Sequence, residues 1–194
     1  MGGALADNRI VILGGLSGVG KSTLLKSVDT SKYMIKNLGD MIEQIVEEVG
    51  HNEDRDDFKK QKSGTVMGRA AEAFRRVSAM NGDIIVDTHV SLKNGPRYTP
   101  GLPLNTLRLI PGLKGLIYIV ASPQEISGRR AKDTARHRDT EEDTIQKQMD
   151  MDMATLSFYS SYLNISLYII NNREGRKEQA TAELASALSD VFSD

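Results

Sequence analysis

The run Gly15-Leu16-Ser17-Gly18-Val19-Gly20-Lys21-Ser22-Thr23 fits G-x-x-x-x-G-K-[ST], a spacing with a mechanical purpose. Its glycines let the backbone curl until successive N–H groups point inward. The helix that follows adds the positive end of its dipole, so the run can cradle phosphate oxygens. In such a cradle Lys21 reaches the β- and γ-phosphates, and the Ser22 hydroxyl enters the coordination shell of a Mg²⁺ ion. The plain alternative is an ordinary Gly-rich strand-to-helix turn. The apolar run before it and the helical run from Ser22 to Val28 are the flanks that a nucleoside-triphosphate site demands.

A second part is required near the metal: a carboxylate at the end of another buried strand. Asp87 closes Ile84-Ile85-Val86-Asp87 and can hold a metal-bound water there, unless it only caps a turn. His89 is a candidate substrate contact, with a structural histidine as the alternative. A switch GTPase would also carry D-x-x-G and N-K-x-D; the chain has neither, and Asn171-Asn172-Arg173-Glu174 is its nearest approach to the second. A kinase instead needs an acceptor site and a lid that keeps water from taking the phosphoryl group. The segment from Arg129 to Asp139 supplies a lid candidate, with four Arg in ten positions at Arg129, Arg130, Arg136 and Arg138. The planar fork of arginine pairs bidentately with phosphate oxygens. On the acceptor side, Arg55 stands between carboxylates in Asp54-Arg55-Asp56-Asp57 and is the candidate for the acceptor phosphate. Both charge runs could instead be solvated surface.

The elements that must position these groups are an alternating series. Ile10-Val11-Ile12-Leu13, Ile84-Ile85-Val86, Leu116-Ile117-Tyr118-Ile119-Val120 and Ser166-Leu167-Tyr168-Ile169-Ile170 are short β-rich apolar runs, and Tyr33 to Leu38 is a weaker fifth, nearer an edge. Gly39-Asp40 closes that fifth run. Apolar residues recur at helical spacing at Val66, Ala70, Ala73, Phe74, Val77 and Met80, again from Ile145 to Leu163, and again from Ala180 to Val191. Such alternation implies a five-stranded parallel sheet with helices on both faces, a three-layer α/β fold whose ligands bind at the carboxyl ends of the strands. Ser91 to Pro103 and Arg129 to Asp143 break the pattern and are expected to be loops with a function. The Met149, Met151 and Met153 series is read as core or subunit-contact filler.

The chain has 194 residues, 25 Lys+Arg against 26 Asp+Glu and no Cys. One domain of that length buries a core without staples. Disulfide scaffolds and thiolate chemistry are excluded. Apolar content of 39% is too high for a disordered chain, and no apolar run approaches the roughly 18–20 residues that cross a bilayer. A soluble, cytoplasmic protein is expected, without membrane association. Near-neutral charge and dispersed aromatics argue against a nucleic-acid partner.

Together these segments resemble the archaeal type of adenylate kinase, over nearly the whole chain. The resemblance is carried by the phosphate loop, Asn37-Leu38-Gly39-Asp40, Asp54-Arg55-Asp56, Val86-Asp87-Thr88-His89, Tyr98-Thr99-Pro100-Gly101-Leu102-Pro103 and Thr134-Ala135-Arg136-His137-Arg138-Asp139. Asp-Thr-His followed about ten residues later by Y-x-P-G-L-P is the specific part. It implies a phosphate-loop NTPase fold with a short arginine-rich lid (about 130–142) and a helical acceptor-binding insert (about 39–80) in one kinase domain. It also implies Mg-dependent phosphoryl transfer from ATP to AMP, giving two ADP. Residues Gly15 to Thr23 would hold ATP, with Asn172 near its adenine. Asp40 and Arg55 would lie on the AMP side, and Arg129, Arg136 and Arg138 would act with Lys21 on the transferring group. Family members are cytoplasmic and typically homotrimeric. The common adenylate kinase has an Arg shortly after the third strand that this chain lacks, and Lys93 or Arg97 could supply the cation. Two other readings stay open: a phosphate-loop kinase of another nucleoside monophosphate or of a small metabolite such as shikimate or gluconate, and an ATP-binding regulatory or ribosome-assembly factor.

Overall fold

The computed structural model describes residues 7–50, 64–133 and 139–193. Five parallel strands form the main sheet in the order β2-β3-β1-β6-β7. They are β1 (Asn8–Gly14), β2 (Met34–Asn37), β3 (Gly82–Asp87), β6 (Leu113–Val120) and β7 (Ser166–Asn171). The four strong apolar runs became β1, β3, β6 and β7, and the weak run became β2 at the edge, half-buried along its length. Period-two alternation sends the central strands' side chains to both faces. Val11, Leu13, Ile85, Ile117 and Ile119 pack under α1 (Lys21–Ser27), α5 (Pro123–Lys132) and α7 (Lys177–Val191). Ile10, Ile12, Ile84, Val86, Leu116 and Tyr118 pack under α2 (Leu38–Gly50), α3 (Gly64–Ser78) and α6 (Glu142–Leu163). The result is the expected three-layer α/β arrangement, with a core on each side of the sheet.

Three expectations change. Ser91 to Pro103 is not a plain loop: it holds an antiparallel hairpin, β4 (Ser91–Asn94) with β5 (Arg97–Pro100), followed by the short α4 (Leu104–Leu107). The two-residue connection Gly95-Pro96, with Gly95 at φ +57°, has the glycine-first arrangement of a II′ turn. Gly and Pro density hid that hairpin. Gly39 and Asp40 do not end β2 but lie in the first turn of α2, where Asn37 Oδ1 accepts the Asp40 N–H at 3.2 Å as an N-cap. The segment read as a loop from Arg129 begins as helix, because α5 runs through Lys132. Ser122 and Glu125 form a capping box there, and Pro123 occupies the first turn.

Candidate active site

Strand register builds the site. In the β1–β3 pairing Leu13 lies opposite Asp87, and in β2–β3 Asn37 lies opposite the same Asp87. The carboxylate is therefore set beside the residue that leads into the phosphate loop. Thr88 N–H donates to the Leu13 carbonyl at 3.1 Å, which holds the exit of β3 against that loop. On the other side, Asn172 N–H donates to the Val120 carbonyl at 2.8 Å and brings the end of β7 to the loop's far shoulder.

Left-handed backbone at Gly18 (φ +88°) and Gly20 (φ +100°) makes the curl, a conformation that only glycine adopts without cost. A Cβ on Gly20 would overlap the Asn172 side-chain amide. Side chains from outside the loop supply donors to several of its carbonyls. Asn172 Nδ2 donates to the Val19 carbonyl at 2.8 Å, and Arg129 Nη1 reaches the same carbonyl at 3.1 Å while its Nη2 donates to the Asn172 carbonyl at 3.2 Å. Arg130 Nε donates to the Ser17 carbonyl at 2.9 Å, and its Nη1 to the Asp139 carbonyl at 2.7 Å. Arg130 is buried. The sequence places Arg130 in the lid run without giving it a contact of its own; in the fold it braces the phosphate loop. Two adjacent arginines in the last turn of a helix offered the signal, because their side chains leave in directions about 100° apart and can grip two points of one loop.

Inside the cradle, Lys21 is buried and its Nζ donates to the Gly15 carbonyl at 2.6 Å. It faces Asp87 Oδ1 at 3.8 Å. Asn37 Nδ2 donates to the other Asp87 oxygen at 3.3 Å. Burial pushes the Asp87 carboxyl above its ordinary value, opposed by Lys21 and by the Asn37 hydrogen bond, and Asp40 adds a further upward push. Asp87 Oδ1 is buried and accepts no hydrogen bond. A buried acceptor left open is costly unless something fills its demand. Ser22, exposed in the same cleft, offers a hydroxyl. That pair of hard oxygen donors suits a divalent cation that also binds phosphate and water oxygens. Among the described residues no group of three or more acidic or His side chains could cage a metal unaided.

A cleft of about 740 Å³ lies over the loop. Lys21, Ser22, Thr23, Asn37, Asp40, Asp87, His89 and Arg129 all border it. Leu38, Gly39, Ile42 and Glu43 of α2 form its opposite wall. The structure thus brings together Gly15 to Thr23, Asp40, Asp87, His89, Arg129 and Asn172. Arg55, Arg136 and Arg138 lie outside the described residues. A neighbouring cavity of about 560 Å³ is bordered by Leu16, Ser17, His89, Lys93, Arg130 and Asp139. Of the two cations considered after Asp87, Lys93 borders that cavity and pairs with Asp139 at 2.5 Å. Arg97 is exposed on the hairpin, with its Nε on Thr99 Oγ1 at 3.3 Å.

A parallel sheet of this order, with a glycine-built cradle, a buried lysine and a strand-end carboxylate at its carboxyl edge, defines the class of phosphate-loop kinases. A family model described as an AAA domain matches residues 14–147. Adenylate kinases of Thermococcus onnurineus and Pyrococcus horikoshii are each 32% identical to the chain over 187 residues, covering 92% of it and 94% of each relative. That of Thermoplasma volcanium is 32% identical over 179 residues, covering 91% of the chain and 98% of the relative. The chain belongs to the adenylate kinase family. Solved structures of similar fold include a thymidylate kinase from Candida albicans (TM-score 0.63, 13% identity, 95% of this chain and 92% of that one). A shikimate kinase from Acinetobacter baumannii in complex with shikimate has a TM-score of 0.59 at 12% identity, covering 94% of each chain. These two speak for the fold alone.

Proposed function

We propose that the chain is an ATP:AMP phosphotransferase, moving the γ-phosphoryl group of Mg·ATP to AMP and releasing two ADP. The observation that carries the reading is the meeting of the Lys21 ammonium and the open Asp87 oxygen within one cleft that also reaches the first turn of α2. Membership of the adenylate kinase family supplies the acceptor. Inward N–H groups of Gly15 to Thr23 bind the triphosphate, and Lys21 stabilises charge as it spreads over the transferring group. Ser22 would hold Mg²⁺ by its hydroxyl and Asp87 would hold it through a bound water, and the ion would supply positive charge against the phosphates. Asn172 and the turn after it form the adenine side of ATP. The turn is docked on the start of α5, where Glu125 accepts the Glu174 N–H. Asp40 and His89, across the cleft, contact the acceptor.

The segment 39–80 serves as acceptor insert and 130–142 as lid. Arg55 binds the acceptor phosphate, and Arg136 and Arg138 join Arg129 in closing on the transferred group. Cytoplasmic location and a homotrimer complete the reading. Exposed Phe158 and Tyr162, their ring centroids 5.7 Å apart on the outer face of α6, support self-association. No helix among the described residues is long and apolar enough to cross a membrane.

The test is incubation with Mg·ATP and, separately, AMP, GMP, CMP, UMP and dTMP, with diphosphates measured by chromatography against a no-acceptor control. ADP formation that depends on AMP is the expected result. Hydrolysis indifferent to every acceptor refutes the phosphotransferase reading. Light scattering that reports a mass other than three times that of the chain refutes the trimer.

A further inference from the structure

Asp152 on α6 is fully buried, yet its oxygens are held by hydroxyls: Ser91 Oγ donates at 2.5 Å and Tyr118 OH at 2.9 Å. Burial pushes its carboxyl up to about 6, opposed by those two hydrogen bonds and by the charge of Lys21. Each of its oxygens accepts from one hydroxyl. Among the described residues no cation is in contact with it, and burying a carboxylate on those terms is costly.

The two donors differ in what they are attached to. Tyr118 belongs to β6, a central strand paired on both sides, with Gly14 as its register partner. Ser91 opens the β4–β5 hairpin, which pairs with no strand of the main sheet. One turn back on α6, Gln148 Nε2 donates to the Ser91 carbonyl at 3.3 Å. Asp152 thus joins the hairpin to the centre of the sheet beneath the phosphate loop. Any shift of the hairpin reaches the cleft directly. Gly101 N–H donates to the Val90 carbonyl at 2.8 Å, and a Cβ on Gly101 would overlap the His89 carbonyl, so the backbones on either side of the hairpin are in contact there. His89 and Leu92 border both cavities.

We propose that Asp152 is a positioning residue for the acceptor side of the cleft: through Ser91 it fixes the β4–β5 hairpin, and with it His89 and Leu92, relative to the phosphate loop. The inference rests on the phosphotransferase reading above. In-line transfer makes such placement matter, since a displacement near 1 Å can cost on the order of a hundredfold in rate.

The experiment is steady-state kinetics, with AMP and ATP varied in turn, on wild type, Ser91→Ala, Asp152→Asn, the double variant and Tyr118→Phe, together with melting temperatures. Wild-type ADP formation first decides the phosphotransferase reading by itself; if another acceptor is used, the same comparison is run with that acceptor. Ser91→Ala and Asp152→Asn are expected to lower kcat/KM for the acceptor about tenfold or more, with KM for ATP within about twofold of wild type. The double variant should be no worse than the worse single one, because both act on the same link: Ser91→Ala removes its donor and Asp152→Asn the charge of its acceptor. Tyr118→Phe deletes an equally buried bond to the same carboxylate, but from a strand locked in the sheet; it should lower the melting temperature and leave KM for the acceptor in place. Equal acceptor effects from Ser91→Ala and Tyr118→Phe, or changes in melting temperature alone, overturn the proposal. If Asp152→Asn does not fold, the contrast between Ser91→Ala and Tyr118→Phe decides the matter.

Discussion

Replacing Lys21 with Ala tests the core of the mechanism, and the structure sets the size of the effect. Lys21 Nζ is a preorganised donor, already desolvated and held at 2.6 Å from the Gly15 carbonyl. Removing one such donor from developing charge costs about 2.7–4 kcal/mol, or roughly 10²–10³ in kcat. Stability should change less. The Gly15 carbonyl loses its partner, worth about 1–3 kcal/mol if water does not replace it. Asp87 loses a cation 3.8 Å away, and because burial already pushes its carboxyl up, it relieves the imbalance by taking a proton. At about 2–4 °C per kcal/mol for a chain of this size, the melting temperature should fall by about 2–12 °C. Coupled-assay kinetics on purified Lys21→Ala, with circular dichroism to establish the fold, should show kcat down at least about a hundredfold. A folded variant with kcat within fivefold of wild type would refute the assignment of Gly15 to Thr23 as the phosphate site.

Gly20→Ala places a side chain at φ +100° and against the Asn172 amide; strain of about 1–2 kcal/mol plus the overlap should lower the melting temperature and weaken ATP binding by calorimetry, and an unchanged Kd would contradict the loop geometry. Arg129→Ala removes the guanidinium donor from the Asn172 carbonyl and leaves the Val19 carbonyl with the Asn172 amide alone. Its KM for ATP should rise about tenfold, with Arg129→Lys failing to restore it because a point charge cannot bridge both carbonyls. Asp87→Asn should raise the Mg²⁺ concentration for half-maximal rate while leaving the melting temperature equal or higher, since it removes a charge that burial disfavours; an unchanged Mg²⁺ requirement would separate Asp87 from the metal. Asp152 makes a prediction about acid. Its carboxyl is raised from 3.8 to about 6 in the fold, so the folded state binds the proton more tightly and stability falls as pH rises between those values, by about 3 kcal/mol at ~1.4 kcal/mol per pH unit. Denaturant titrations of wild type against Asp152→Asn should differ most in slope between pH 4 and 6, and parallel pH curves would show that Asp152 does not titrate there.

The hairpin is where local and tertiary information part company. Ser91-Leu92-Lys93-Asn94 and Arg97-Tyr98-Thr99-Pro100 flank a Gly-Pro turn, yet neither half carries the apolar alternation that marks a strand packed on a core, because the hairpin lies outside the main sheet. Its anchor, Ser91 on Asp152, joins residues 61 positions apart, which no local pattern exposes. The choice between Lys93 and Arg97 had the same character. Alternate residues of one strand pair are indistinguishable in composition, and only the side of the hairpin facing Asp139 separates them.

Properties that repeat along the chain were legible from residues alone. The alternation of buried strands and amphipathic helices follows from period and burial, and the phosphate loop is contiguous, so its curl is written in Gly18, Gly20 and Lys21 themselves. The weak run at residues 33–38 was correctly placed at an edge because a half-buried strand needs fewer apolar residues. Strand order was not available in that way, and with it went the partners of the site. Asp87 meets Lys21 and Asn37 because β3 is inserted between β1 and β2. Arg129 and Arg130 grip the loop because α5 docks above it. Such contacts are set by which faces of the sheet and helices can be buried together, a property of the whole packed chain rather than of any segment within it.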